Sequence, residues 1–342
     1  MRKPGHRRES YHGLILDEYI GPIGPKVKVD LAIYMASWEE RAIHQARYGT
    51  ANADRAMVLS FSDADNSFCP SEYLTSIVDG NLTKLELGSH YKIQDAVSAF
   101  IPKFFHAKSV NFGSIFIDVT CMPKYMAQYF VLEVLRTKVI SELIIGYTAG
   151  TYHHQSNQAG VYDQGIDRYL SLPQTANVGI STRKGGIAAL GADERLIGDY
   201  FTNEAGFDDH FLIAADGAQN KAVDEKVRNQ TSALMRKFHL SETSVKSVAP
   251  PSFLGSLDAY EDFLFSSPEI DSWDIFCCGP KTHAIGACLA AHKHHEIKLI
   301  GRVPAHYDTT NVEAGDTISL LRILDATSPA VAKVRNIAPP FG

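Results

Sequence analysis

Ile115-Phe116-Ile117-Asp118-Val119-Thr120-Cys121-Met122-Pro123-Lys124 is an apolar run that ends in a Thr and a Pro-Lys and leads into a helix-forming stretch. Such a segment reads as a buried strand feeding a helix across a short loop, the repeating joint of an α/β fold. It has a counterpart in Asp274-Ile275-Phe276-Cys277-Cys278-Gly279-Pro280-Lys281, where Cys, Pro and Lys recur in the same positions. The offset persists on either side of the joint. Leu143-Ile144-Ile145-Gly146 lies over Lys298-Leu299-Ile300-Gly301, Tyr152 and Gly160 over Tyr307 and Gly315, Glu40-Arg41-Ala42-Ile43 over Glu194-Arg195-Leu196-Ile197, and Leu59–Asp63 over Leu212–Asp216. Landmarks in one order at offsets of 153 to 157 residues are the pattern of an internal duplication with loop insertions.

Outward from these joints the chain reads as alternating strands and helices. Strands are expected at 30–35, 56–61, 84–87, 115–119 and 142–146, with helices near 71–78, 93–105 and 124–136. The second set of strands falls at 187–190, 211–215, 245–248, 274–277 and 297–300. The fold class this predicts is α/β, two tandem Rossmann-like repeats with parallel sheets. Apolar–polar alternation at 151–154 and 168–172, and again over 306–324, predicts that each repeat ends in a β-hairpin. The expected division is a lead-in at 1–29, repeat 1 at 30–172, a linker at 173–186, repeat 2 at 187–327 and a tail at 328–342. Residues 1–10, rich in Arg and His, read as a mobile basic tail.

A chain of 342 residues with 45% apolar and 21% charged residues has material for two cores. Its net charge of −6 argues against broad nucleic-acid binding, which needs many Lys and Arg contacts to phosphate. Five cysteines without a CxxC spacing read as reduced core residues of a cytoplasmic protein, and no apolar run reaches membrane-spanning length. His153-His154 and His292-x-His294-His295 read as structural, so neither a metal site nor a cofactor is expected. The chain lacks a GxSxG, a P-loop and a glycine-rich dinucleotide fingerprint.

In an open parallel sheet, ligands bind outside the carboxyl ends of the strands where the strand order reverses. That places one candidate site between Ser37-Trp38-Glu39 and Thr120–Lys124, and a second between Leu190–Asp193 and Cys278–Lys281. Lys124 and Lys281 each open a helix, where the dipole disfavours a cation unless an anion is also held there. Ser37 reads as a helix N-cap, with Glu39 and Glu40 acids of the first turn and alternatively acid–base groups of a nucleotide-processing hydrolase.

The strand ending in Ser37-Trp38-Glu39, followed by strand, Asp118–Lys124 and helix, resembles CARF domains, Rossmann-like sensors of cyclic oligoadenylate in CRISPR-associated proteins. Two such units in one chain resemble SAVED domains, which sense cyclic oligonucleotides in bacterial antiphage signalling. The resemblance implies ligand contacts from Ser37, Thr120 and Lys124 in the first repeat and Lys281 in the second, with Asp193 beside that second loop. It implies a phosphorylated nucleotide as ligand and an effector or partner chain for output, since no nuclease, protease or membrane segment is evident. The second repeat departs from the pattern: it lacks the Asp-x-Thr and has Cys277-Cys278-Gly279 before its Pro-Lys. The remaining reading is a non-catalytic subunit of a larger assembly.

Overall fold

The computed structural model describes residues 5–37, 39–62, 81–89, 92–106, 113–138, 140–151, 166–173, 175, 182–191, 206–217, 221–304 and 312–326. It contains two compact units, one formed by Met1–Thr151 with Thr309–Gly342 and the other by Tyr152–Asp308.

The first unit begins with β1 (Gly5–Tyr11), β2 (Leu14–Gly21) and β3 (Val27–Met35). A 3-10 turn (Glu40–Ile43) and the single turn α1 (His44–Arg47) lead to β4 (Ala51–Phe61), β5 (Asn81–Leu87) and α2 (Ile93–His106). Then follow β6 (Ser114–Asp118), α3 (Lys124–Thr137) and β7 (Glu142–Thr151). The second unit holds β8 (Ile166–Ser171), β9 (Lys184–Leu190), β10 (Asp209–Ala215), α4 (Lys221–Phe238), β11 (Val245–Val248), α5 (Phe253–Ser266), β12 (Ser272–Cys277), α6 (Lys281–Lys293) and β13 (Ile297–Pro304). The chain then returns to the first sheet as β14 (Glu313–Asp325).

The two sheets share one plan. In the first, β5-β4-β3-β6-β7 are parallel, and β14, β2 and β1 extend the sheet antiparallel to make eight strands. In the second, β11-β10-β9-β12-β13 are parallel and β8 closes the edge antiparallel. The order reverses between β3 and β6 in one sheet and between β9 and β12 in the other. The central strands are apolar on both faces, as parallel strands covered on both sides must be: Ile115, Phe116 and Ile117 are fully buried, as are Ile187, Ala188, Ala189 and Leu190. On one face of the first sheet, Val29, Tyr34, Val58, Phe116 and Ile144 pack with Ala42, Ile43 and Ala46 of the 3-10 turn and α1. Phe104 of α2 meets Phe130 of α3, with ring centroids 6.2 Å apart.

The expected terminal hairpins are not what these strands form. β8 pairs with β13, not with β7, and Tyr169 packs edge-on against Phe276 of the second sheet. β14 pairs with β7 on one side and β2 on the other, so it lies inside the first sheet. The reason is burial: residues 318–324 of β14 are buried throughout, and backbone N–H and C=O groups buried in this way need a partner strand at each edge. Alternation reports which face a residue points to and is silent on the partner strand. The compact units consequently divide the chain at other points than 172 and 187.

The lead-in also carries structure. β2 ends at Gly21, just before Pro22, and Gly5–Ser10 is edge strand, not tail, because β1 is tied to β2 along its whole length. His6 pairs with the buried Asp17 on that second strand. The predicted helix at 71–78, Asp193 and the tail at 328–342 lie outside the described residues.

Candidate functional site

The loops at the first switch point leave in opposite directions. The Ala36 N–H donates to the Leu59 carbonyl at 2.8 Å, tying the end of β3 to β4, whereas the Val119 N–H donates to the Gly146 carbonyl at 2.9 Å, tying the end of β6 to β7. A crevice between β3 and β6 follows from that divergence. Asp118 and Thr120 hold its β6 side. The Thr120 N–H and hydroxyl both donate to Asp118 Oδ1, the former at 2.9 Å, and Thr120 Oγ1 accepts from the Thr148 N–H at 3.0 Å. Asp118, Thr120 and Thr148 are all buried. Burial, together with the Asp118 carboxylate, pushes the neighbouring Tyr34 phenol well above its usual range.

Ser37 is buried at the end of β3, and its hydroxyl accepts from the Glu39 N–H at 3.3 Å. The N-cap position of the 3-10 turn belongs to Glu39, so Ser37 shapes the loop and does not cap the helix. The Glu39 carboxylate is engaged by the buried Arg41 guanidinium, while Glu40 is exposed. Lys124, half-buried, is the first residue of α3, and Pro123 precedes it at φ −53°, ψ 137°. No side chain caps this helix. Ser37, Thr120 and Lys124 therefore gather at the carboxyl ends of β3 and β6.

At the second switch point the same joint recurs with different walls. Lys281 opens α6 after Pro280 at φ −59°, ψ 156°, again without a side-chain cap. Gly191 and Gly279 let the two loops touch: a Cβ on Gly279 would stand 2.8 Å from the Leu190 carbonyl oxygen, and one on Gly191 3.0 Å from that of Cys278. Cys277 and Cys278 are buried here, Cys277 at the position that the hydrogen-bonded Thr120 holds in the first unit.

Three side chains at the first joint carry polar chemistry that the sequence does not single out. Gln45 of α1 is fully buried, with its carboxamide against Gly146 of β7; Arg41, one turn earlier in the chain, and Thr148, two residues on from Gly146 in β7, are buried as well. Thr148 ends an apolar run in β7, and that polar interruption is its one visible signal. His294, read from the sequence as structural, is 3.0 Å from Glu261 and 3.2 Å from Glu296, and among the described residues no group of three His, Cys, Asp or Glu converges.

No described helix is long and apolar enough to cross a membrane. No family model matches the chain, and no curated protein matches it. Two solved structures align with it over most of their length. A functionally unknown protein from Pseudomonas aeruginosa PAO1 aligns at 10% identity and TM-score 0.24, over 81% of this chain and 93% of its own. A putative universal stress protein from Pseudomonas aeruginosa UCBPP-PA14 aligns at 9% identity and TM-score 0.23, over 80% and 94%. At these values the two likenesses add nothing to the fold read from the sheets themselves.

Proposed function

We propose that the chain is a nucleotide-binding sensor module of a prokaryotic antiphage-type system. Its ligand is phosphorylated, a cyclic oligonucleotide in the manner of CARF and SAVED domains, and its output passes through a partner chain. The observation that supports this reading is the repeated helix start. Both parallel sheets place a Pro-Lys at the switch point, with nearly the same Pro backbone angles and no side-chain cap. A helix start offers backbone N–H groups and a positive dipole end, and a Lys placed there completes an anion site. The shared strand order supports the duplication read from the paired landmarks. The hydrolase reading has less behind it, since Glu39 is already engaged by Arg41.

Thermal denaturation against a panel of linear and cyclic oligonucleotides tests this. A ligand at about 100 times its Kd stabilises the folded state by about 2.7 kcal/mol. One cyclic species is expected to raise the midpoint, and Lys124→Glu with Lys281→Glu to weaken that response at least about tenfold, the scale of a charged hydrogen bond. An undiminished shift in the folded double variant removes the lysines from the site. No shift with any nucleotide turns the assignment to a non-catalytic subunit.

A further inference from the structure

We infer that the first unit holds an internal water site between α1 and β7, with the Gln45 carboxamide and the Thr148 hydroxyl as its ligands. Gln45 and Thr148 are both 0% exposed. Among the described residues, neither Gln45 Oε1 nor Gln45 Nε2 nor Thr148 Oγ1 has a hydrogen-bond partner. A carboxamide supplies two donors and an acceptor with two lone pairs, and a hydroxyl supplies one donor and two lone pairs. Leaving one such group unsatisfied in the interior costs about 1–3 kcal/mol, so three orphaned atoms on two neighbouring side chains are an unstable arrangement unless something of complementary chemistry joins them.

The backbone places the two groups within reach of one another. The Gln45 carboxamide carbon lies 3.3 Å from the point where a Cβ on Gly146 would stand. Gly146 and Thr148 alternate onto the same face of β7, where same-face neighbours are about 7 Å apart. That face is the one on which Ile144 packs with Phe116 and the 3-10 turn, so it looks toward Gln45. Over Gly146 itself the packing is close: a Cβ there would stand 2.7 Å from the Phe116 ring and 3.3 Å from the carboxamide carbon, so the carboxamide's free hydrogen-bonding atoms are left to the side of the glycine. A carboxamide over Gly146 and a hydroxyl about 7 Å along the same strand face are at a separation that one water, or a short chain of two, spans with the two to four polar partners that buried water requires.

Larger ligands fit the chemistry less well. Phe116, Ala42, Ile43 and Ala46 belong to the apolar cluster on this face, the buried Arg41 one turn before Gln45 is paired with Glu39, and both Gln45 and Thr148 are closed to solvent. Water is small, neutral and both donor and acceptor, which matches a carboxamide and a hydroxyl with no nearby charge required. The Thr148 N–H is already committed to Thr120 Oγ1, so the water bonds the side chain only. Through it, α1 becomes connected to the strand that anchors the β6–α3 loop. The inference stands whether or not the chain binds a nucleotide.

A crystal structure of the full chain at high resolution reads this directly. Ordered density within roughly 2.7–3.2 Å of both the Gln45 carboxamide and Thr148 Oγ1 is expected, and a dry niche overturns the assignment. A double-mutant cycle with Gln45→Met and Thr148→Val, followed by urea unfolding, gives a second readout. Each single change is expected to lower the folding equilibrium constant about fivefold, and the pair to lower it by less than the product, because one bridge is lost twice. Single variants that stabilise the protein, or two effects that simply multiply, overturn the shared site.

Discussion

Thr120 uses one hydroxyl twice, donating to Asp118 Oδ1 and accepting from the Thr148 N–H, and so fastens the end of β6 to β7. Thr120→Val keeps the shape and removes both bonds, leaving a buried N–H without its acceptor. A loss of about 1–3 kcal/mol in urea unfolding is expected, with Thr120→Ser recovering most of it. A valine variant as stable as the parent would show that Thr148 finds another acceptor. His44 sits nearby on α1, where burial, and after it the Arg47 charge, push its imidazole below the ordinary value of 6.5 while Glu40 opposes them. The folded protein thus binds fewer protons at this site than the unfolded chain does. The resulting stability is fully present above about pH 6.5 and is lost as pH falls from there toward the lowered folded value. Melting temperature should decline with acid in that window, and His44→Gln should flatten the decline; an unchanged acid limb in the variant would assign it to other groups.

Elements carry the parts of the fold that were legible from residues alone. The strand-to-helix joints at Asp118–Lys124 and Cys277–Lys281 were readable because an apolar run, a Pro and a helix-forming stretch each impose a backbone state locally. The pairing of β3 with β6 and of β9 with β12 followed from the common doubly wound order. Ser37 was misread as a cap because the sequence shows a hydroxyl before acids, while the turn that forms there starts two residues later at Glu39. Gln45 and Thr148 stayed hidden because a polar residue inside an apolar pattern looks the same whether it faces solvent or an interior niche. Helix packing offers a test at this scale. α5 and α6 meet at Gly286, where a Cβ would stand 2.1 Å from Ser256 Oγ and 3.0 Å from the Leu257 nitrogen. The Ser256 hydroxyl already donates to the Phe253 carbonyl, so it has little room to turn away. Gly286→Ala is expected to cost about 1–3 kcal/mol by forcing the helices apart. Adding Ser256→Ala should restore part of that, and a neutral Gly286→Ala would mean that the pair yields more freely than its contacts suggest.

At the scale of the whole molecule, the chain leaves the first sheet after Thr151, completes a second sheet, and returns to the first as β14. This threading was not legible, because the order of strands along a sequence does not say which sheet a late strand joins. What decides it is surface: Leu320, Leu321 and Leu324 are fully buried in β14, and Leu172 just after β8 is held by the Leu299 carbonyl at 3.0 Å. β14, buried over residues 318–324, goes where it has a partner strand on each side, and β8 goes to the edge of the second sheet. The consequence is that the second unit is an insertion between two strands that already lie side by side. Thr151 stands opposite Glu313 in the β7–β14 register, the geometry from which a hairpin turn departs. Replacing residues 152–312 with a turn of about two to four residues such as Asn-Gly should therefore leave an eight-stranded unit able to fold, with β7 and β14 now a hairpin. The excised stretch 152–308 carries β8 to β13 and should fold as a six-stranded unit. Cooperative urea transitions with native-like circular dichroism in both fragments would establish two autonomous folding units. A fragment that unfolds without cooperativity would show that the insertion and its host complete one another, and that the edges of β7 and β14 need more than their own register to meet.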